Sequence, residues 1–117
     1  MEKLNFVFLI REEGHWEQLF GYITNLNKVS GAVGKIAVVT AGTALLSCLK
    51  STRLDILKTT LSRLANENVT FYLCTNTLSR YGISEDLILP EFNIALEGGL
   101  LEAARFEAMG YHMITLG

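Results

Sequence analysis

Apolar residues recur along this chain in two alternating rhythms. Phe6, Val7, Phe8, Leu9 and Ile10 form an unbroken run of aromatic and branched side chains, the pattern of a strand buried on both faces. Trp16, Leu19, Phe20, Ile23 and Leu26 then fall near i, i+3, i+4, i+7 spacing. They predict a helix with one apolar stripe, ended by Ser30-Gly31. Ile36, Ala37, Val38 and Val39 restore the strand signature. Leu54, Leu57, Leu61, Leu64 and Ala65 predict a second helix. Ahead of it, Thr52-Arg53-Leu54-Asp55 has the form of a capping box, and Asn68 stands where a left-handed residue is expected after its end.

The third predicted strand, residues 69–74, is β-branched and aromatic. Thr75-Asn76-Thr77 opens a short helix that Gly82 closes, and Ser84 caps one further turn before Pro90. Phe92, Ile94 and Leu96 alternate as in a short edge strand with one exposed side. Gly98-Gly99 suggests close backbone approach or positive φ, and it leads a helix through Leu101, Ala104 and Ala108. That stripe is expected to meet the sheet, with Phe106 and Met109 left on the far side. Gly110 ends the helix, and residues 111–116 form the last strand. Strand and helix alternate from end to end without a linker, a repeat or a low-complexity stretch. The expectation is an α/β protein, one domain over residues 1–117. It is a three-layer α/β/α sandwich with a mainly parallel sheet of about five strands and right-handed helical crossovers.

Composition narrows the function classes. Half of the 117 residues are apolar, 19% are charged and proline occurs once, which argues against disorder. Ten Lys+Arg against 12 Asp+Glu leave a net charge of −2. There is no surplus for the basic face that nucleic-acid binding calls for. The longest uncharged stretch, residues 36–49, is short of the roughly 20 residues of a membrane span, so no membrane partner is expected. The apolar run at 6–10 is too short for the core of a secretion signal. Two cysteines, Cys48 and Cys74, are too few for a disulfide framework or a metal cluster. A cytoplasmic location with reduced thiols, and no metal or organic cofactor, is the corresponding expectation.

Open parallel sheets bind ligands at the carboxyl ends of their strands. Those ends read Arg11-Glu12-Glu13-Gly14-His15, Thr40-Ala41-Gly42-Thr43 and Cys74-Thr75-Asn76-Thr77. Cys74 is the one strong nucleophile on this rim. At a strand end followed at once by a helix, its sulfur sits near unpaired amides and the positive end of the helix dipole, which favour thiolate. The alternative is a small apolar residue that simply finishes a buried strand. His15 shares the rim and is a candidate proton partner, or else a packing residue at a helix start. Glu12 and Glu13 would raise the Cys74 pKa if they faced it. Cys48 and His112 fit structural roles. Gly31-Ala32-Val33-Gly34 precedes a strand, unlike a dinucleotide loop. No phosphate-binding loop, zinc-protease helix or serine nucleophile elbow is present. The candidate site is Cys74 as nucleophile, with Thr75, Asn76, Thr77, Gly42 and His15 as binding or stabilising residues.

Cys74-Thr75-Asn76-Thr77-Leu78, then Tyr81-Gly82-Ile83, Asp86-Leu87 and Leu89-Pro90, resemble the DsrE/DsrF-like family of intracellular sulfur-handling proteins. Members often carry a C-x-N-T-[LM] run, then G-I, then a D-L-L-P-like stretch. Gly99, Glu102, Arg105 and Gly110-Tyr111 are similar to that family's final helix and strand. The resemblance implies a parallel α/β/α fold and homo-oligomers such as trimers or hexamers. It also implies a cysteine, here Cys74, that carries sulfane sulfur as a persulfide between donor and acceptor proteins. Many relatives have His-Gly after the second strand, where this chain has Ala41-Gly42. A non-catalytic oligomeric module that binds a small ligand or a protein, with Cys74 structural, is the competing expectation. A redox-sensing thiol is a third.

Overall fold

The computed structural model describes residues 2–52 and 54–116. Strands β1 (Leu4–Ile10), β2 (Val33–Thr40), β3 (Val69–Cys74), β4 (Phe92–Ala95) and β5 (His112–Leu116) form one sheet. Their order is β4-β3-β2-β1-β5, and every neighbouring pair is parallel. All five carboxyl ends therefore share one rim. The connecting helices are α1 (Trp16–Asn27), α2 (Asp55–Ala65), α3 (Thr75–Tyr81) and α4 (Gly99–Ala108). From β1 to β4 the chain steps in one direction, and α4 then carries it back across the sheet to β5. Right-handed crossovers accordingly place α1, α2 and α3 on one face and α4 alone on the other.

The core divides the same way. Phe8, Ile10, Val38, Phe71 and Leu73 pack with Trp16, Leu19 and Ile23 of α1, Leu57, Leu61 and Leu64 of α2, and Leu78 of α3. Val7, Leu9, Ala37 and Val39 pack with Ala103 of α4. Cover on both faces is why the central strands are continuously apolar rather than alternating. The expected three-layer α/β/α sandwich is thus the observed fold. Among the described residues, no helix is long and apolar enough to cross a membrane.

Several local expectations are corrected. The buried face of α4 is not Leu101, Ala104 and Ala108, all of which are exposed. Gly99, Ala103 and Phe106, spaced i, i+4, i+7, face the sheet instead, and the Phe106 ring lies 5.4 Å from that of Tyr72 and 4.9 Å from that of Tyr111. Glycine and alanine weigh little in a hydrophobicity pattern, yet their small size is what lets a helix lie close on a sheet. Met109 is exposed as expected, and Leu96 stands beyond the end of β4 with 78% of its surface in solvent. Helix α2 starts at Asp55 with Leu54 at the N-cap position and no side-chain cap. Thr52 is engaged in a turn through its N–H to the Leu49 carbonyl, and Arg53 of the proposed capping box lies outside the described residues. Asn68 does not take a left-handed conformation, since every positive φ among the described residues belongs to glycine. Its side-chain amide donates to Asn27 Oδ1 and to the Gly34 carbonyl, tying the end of α1 to the start of β2. Gly82 does close α3 in the left-handed region, at φ 63° and ψ 33°.

Candidate functional site

Cys74 ends β3 and is the N-cap residue of α3, so strand and helix meet at its Cα without a loop. Cross-strand register sets it beside Ala95 of β4. Beyond Ala95 the chain turns through Leu96, Glu97 and Gly98 into α4, and this turn brings the first amide of α4 over the sulfur. The Gly99 N–H donates to Cys74 Sγ at 3.1 Å in a buried setting. The approach leaves no room for a side chain. A Cβ at Gly99 would stand 3.0 Å from Cys74 Cβ, 3.1 Å from Val39 Cγ1 and 3.5 Å from Sγ, while Gly98 has φ +100° and its Cβ would meet Asn76 Nδ2 at 2.8 Å. Both alternatives raised for Gly98-Gly99 therefore hold, one at each residue.

The electrostatics follow from this geometry. Cys74 retains 7% of its surface in solvent. Burial pushes its thiol up, but the Gly99 N–H, the Thr77 N–H and hydroxyl, and the Asn76 N–H together outweigh it and hold the thiol below its ordinary value. Each donor finds more charge on a thiolate than on a thiol. Among the described residues, no carboxylate contributes to this shift. Glu12 and Glu13 are exposed, and Glu13 accepts from the Ser47 hydroxyl at 3.3 Å. Cys48 behaves oppositely. It is fully buried, its S–H donates to the Ala44 carbonyl at 3.5 Å, and desolvation raises its pKa well above the ordinary value.

The remaining sequence candidates separate into two groups. Thr75, Asn76 and Thr77 form the first turn of α3, and Gly42 joins them because its N–H donates to Thr77 Oγ1 at 3.3 Å. His15 does not join. Its Nε2 lies 3.8 Å from Glu12 Oε2, its Nδ1 is buried without a hydrogen-bond partner, and no bond links it to Cys74. His112 opens β5 at the opposite edge, its ring 5.8 Å from that of Phe6. Missed in the sequence were the role of the Gly99 amide and the irregular 3-10 segment Gly42–Cys48, which buries Ala44, Leu45 and Cys48. The Gly98-Gly99 pair was the available signal for the first. A groove of about 700 Å³ runs between α1 and α2 past Trp16, Phe20 and Leu57. It lies on the other face of the sheet from the Cys74 sulfur and is lined by neither cysteine nor histidine. Among the described residues, no three His, Cys, Asp or Glu side chains gather as a metal set.

No family profile and no curated protein matches the chain. Among solved structures, it is similar to MTH1491 from Methanobacterium thermoautotrophicum, described as a protein of unknown function. The TM-score is 0.86, with 97% of this chain and 100% of that one covered and 23% of residues identical. The two share a fold from end to end, and at this identity the fold is all that the likeness carries.

Proposed function

We propose that this protein carries sulfane sulfur as a persulfide on Cys74. The observation that carries the reading is the 3.1 Å bond from the Gly99 amide to Sγ, at a sulfur that the first turn of α3 also supplies with donors. The Cys74 thiolate attacks the outer sulfur of a donor persulfide. The donor S–S bond breaks, a new S–S bond forms to Cys74, and the donor departs as its thiolate with the bonding pair. An acceptor thiolate then attacks the outer sulfur, and Cys74 leaves as thiolate. No net oxidation or reduction occurs in either step. A thiol with a lowered pKa serves both, because it is ionised for attack and departs readily. The resemblance to DsrE/DsrF-like proteins over residues 69–116 supports the same chemistry, and with it a reducing, cytoplasmic setting and protein partners that give and take sulfur. Intact mass after incubation with polysulfide tests it. The expected gain is one sulfur, lost on adding dithiothreitol and absent in Cys74→Ser. A wild-type protein that gains no mass refutes the carrier.

A second reading, the oligomeric binding module with a structural Cys74, is favoured by a different observation. Leu96, Leu100 and Leu101 are 78%, 71% and 44% exposed at the start of α4, and exposed apolar patches of this kind mark association surfaces. A homo-oligomer, trimeric or hexameric as the resemblance implies, is compatible with either reading. Sulfur loading separates them.

A further inference from the structure

We infer that Arg105 is a positioning residue of the Cys74 site: its ion pair with Glu97 holds the turn before α4, and so keeps the Gly99 amide on the sulfur. The inference rests on reading Cys74 as a working thiolate. The turn, residues 96–98, joins β4 to α4 and is closed by the Gly98 N–H on the Ala95 carbonyl at 3.0 Å. Its own side chains do little to fix it. Leu96 and Glu97 are exposed, and Gly98 is the N-cap of α4 at φ +100°, with no side chain to cap the helix. Two successive glycines also give the backbone more freedom than any other pair. The first amide of α4 therefore relies on Cys74 Sγ as its acceptor, in the place where a capping side chain normally serves a helix start. A hydrogen bond weakens steeply with misalignment, so the sulfur keeps this donor only while the turn keeps its shape.

Arg105 supplies the hold from the helix. Its guanidinium donates to Glu97 Oε1. Glu97 lies two residues before Gly99 and Arg105 six residues after it, so the pair reaches across both glycines and ties the turn to the body of α4. Each partner favours the other's charge. Arg105 holds the Glu97 carboxyl below its ordinary value, and Glu97 raises Arg105, with Glu102 adding to the effect. Both ends therefore stay charged throughout the titration of a thiol. The sulfur's own bond is to Gly99, so Arg105 acts on it through the turn. Both side chains of the pair are exposed, and a pair in water adds little to global stability and is screened by salt. Its consequence is local, and it carries a dependence on ionic strength that side-chain packing would not give.

The pH profile of Cys74 alkylation in the intact protein tests the assignment, read at about 20 mM and about 500 mM sodium chloride, with Cys74→Ser as the blank. Iodoacetamide is uncharged, so salt leaves its approach unaltered. Arg105→Met and Glu97→Gln keep side-chain length and remove one charge each, while Arg105→Lys keeps the charge. At low salt the Cys74 midpoint is expected to rise by about half a pH unit in the first two variants, about a threefold loss of thiolate below the midpoint. Lysine should restore it. High salt should shift the parent in the same direction and leave the methionine and glutamine variants where they are. A folded Arg105→Met protein that titrates like the parent at low salt overturns the proposal, and so does a shift that lysine fails to reverse. Loss of the fold in both charge-removing variants also overturns it, since the pair would then serve global stability. Sulfur loading is read separately. A protein that never takes up sulfur but shows the salt-dependent shift retains Arg105 as a positioning residue and loses only the carrier function.

Discussion

Replacing Gly99 by alanine perturbs the site through a single methyl group. That methyl would stand 3.0 Å from Cys74 Cβ and 3.1 Å from Val39 Cγ1, closer than unstrained carbon contacts of about 3.5–4.0 Å. Val39 is fully buried in the central strand, and Cys74 is fixed by both β3 and α3, so neither neighbour can yield cheaply. The start of α4 must move outward instead. Overpacking of this kind costs about 1–3 kcal/mol, while exchanging glycine for alanine returns about 0.4–1 kcal/mol through the unfolded chain. The net expectation is a loss of about 1 kcal/mol, or roughly 3–6 °C in the melting temperature of a chain this size. Moving α4 also draws its first N–H away from Sγ. Hydrogen bonds to charged groups contribute about 1.5–3 kcal/mol, so even a partial loss lowers thiolate at neutral pH several-fold. Thermal melting by circular dichroism and the rate of iodoacetamide alkylation read the two effects on one sample. A Gly99→Ala protein that melts no lower than the parent, and alkylates with the same pH midpoint, would falsify the close approach and its electrostatic consequence together.

In the parent protein Cys74 is expected to alkylate well below about pH 8.5, while Cys48 reacts only on unfolding. Peptide mapping decides this, and a Cys74 that resists until denatured removes the carrier reading. The two thiols also pull stability in opposite directions. Because the folded-state pKa of Cys74 is lowered, its contribution is fully present above the ordinary thiol value and is lost as pH falls through the folded one. Cys48, raised by burial, destabilises the fold once pH exceeds its ordinary value. Urea unfolding across that range should lose the first effect in Cys74→Ser and the second in Cys48→Ala, and unchanged profiles would contradict the assignment. Gly82→Val should cost about 1 kcal/mol or more. No atom lies within 4 Å of the added Cβ, so the cost comes from the left-handed backbone alone, and an unaltered melting temperature would count against it. Light scattering should give a multiple of 13.0 kDa, reduced by Leu96→Asp with Leu100→Asp, whereas a parent mass of one chain at every concentration refutes association.

The fold could be read from the sequence because its strongest signals are redundant. Phe6 to Ile10 and Ile36 to Val39 are continuously apolar, Val69 to Cys74 is so apart from Thr70, and a segment of that kind has few homes other than the middle of a doubly covered sheet. Strand order was not readable, since nothing in the periodicity says whether the chain after β4 adds at that edge or crosses to the far one. The faces of α4 were misjudged for a related reason. Hydrophobic pattern ranks Leu101 above Gly99 and Ala103, whereas close packing of a helix on a sheet selects the small residues. Asn68 failed as a helix-boundary signal because its side chain ties two elements together, and at Thr52 the chain makes a turn before α2 begins at Asp55.

The place of Cys74 on the rim, between a strand and a helix, was readable in the sequence, but its environment was not. The Gly99 amide bonds the sulfur and the Thr77 and Asn76 amides help to lower its pKa, and a backbone amide leaves no mark in a side-chain motif. What marks the site is the absence of side chains. Gly99 lets an amide reach Sγ, and Gly42 lets the loop after β2 pass the Arg11 carbonyl and still offer its N–H to Thr77. A thiol tuned by amides rather than by an imidazole or a lysine keeps its donors at every accessible pH, because none of them titrates. The pH response of this cysteine should therefore be a single ionisation, with no second group switching it on or off. It also means that the loss of His15, which makes no bond to the sulfur, should leave the alkylation profile where it is. A shifted midpoint in His15→Ala would show that an imidazole takes part after all.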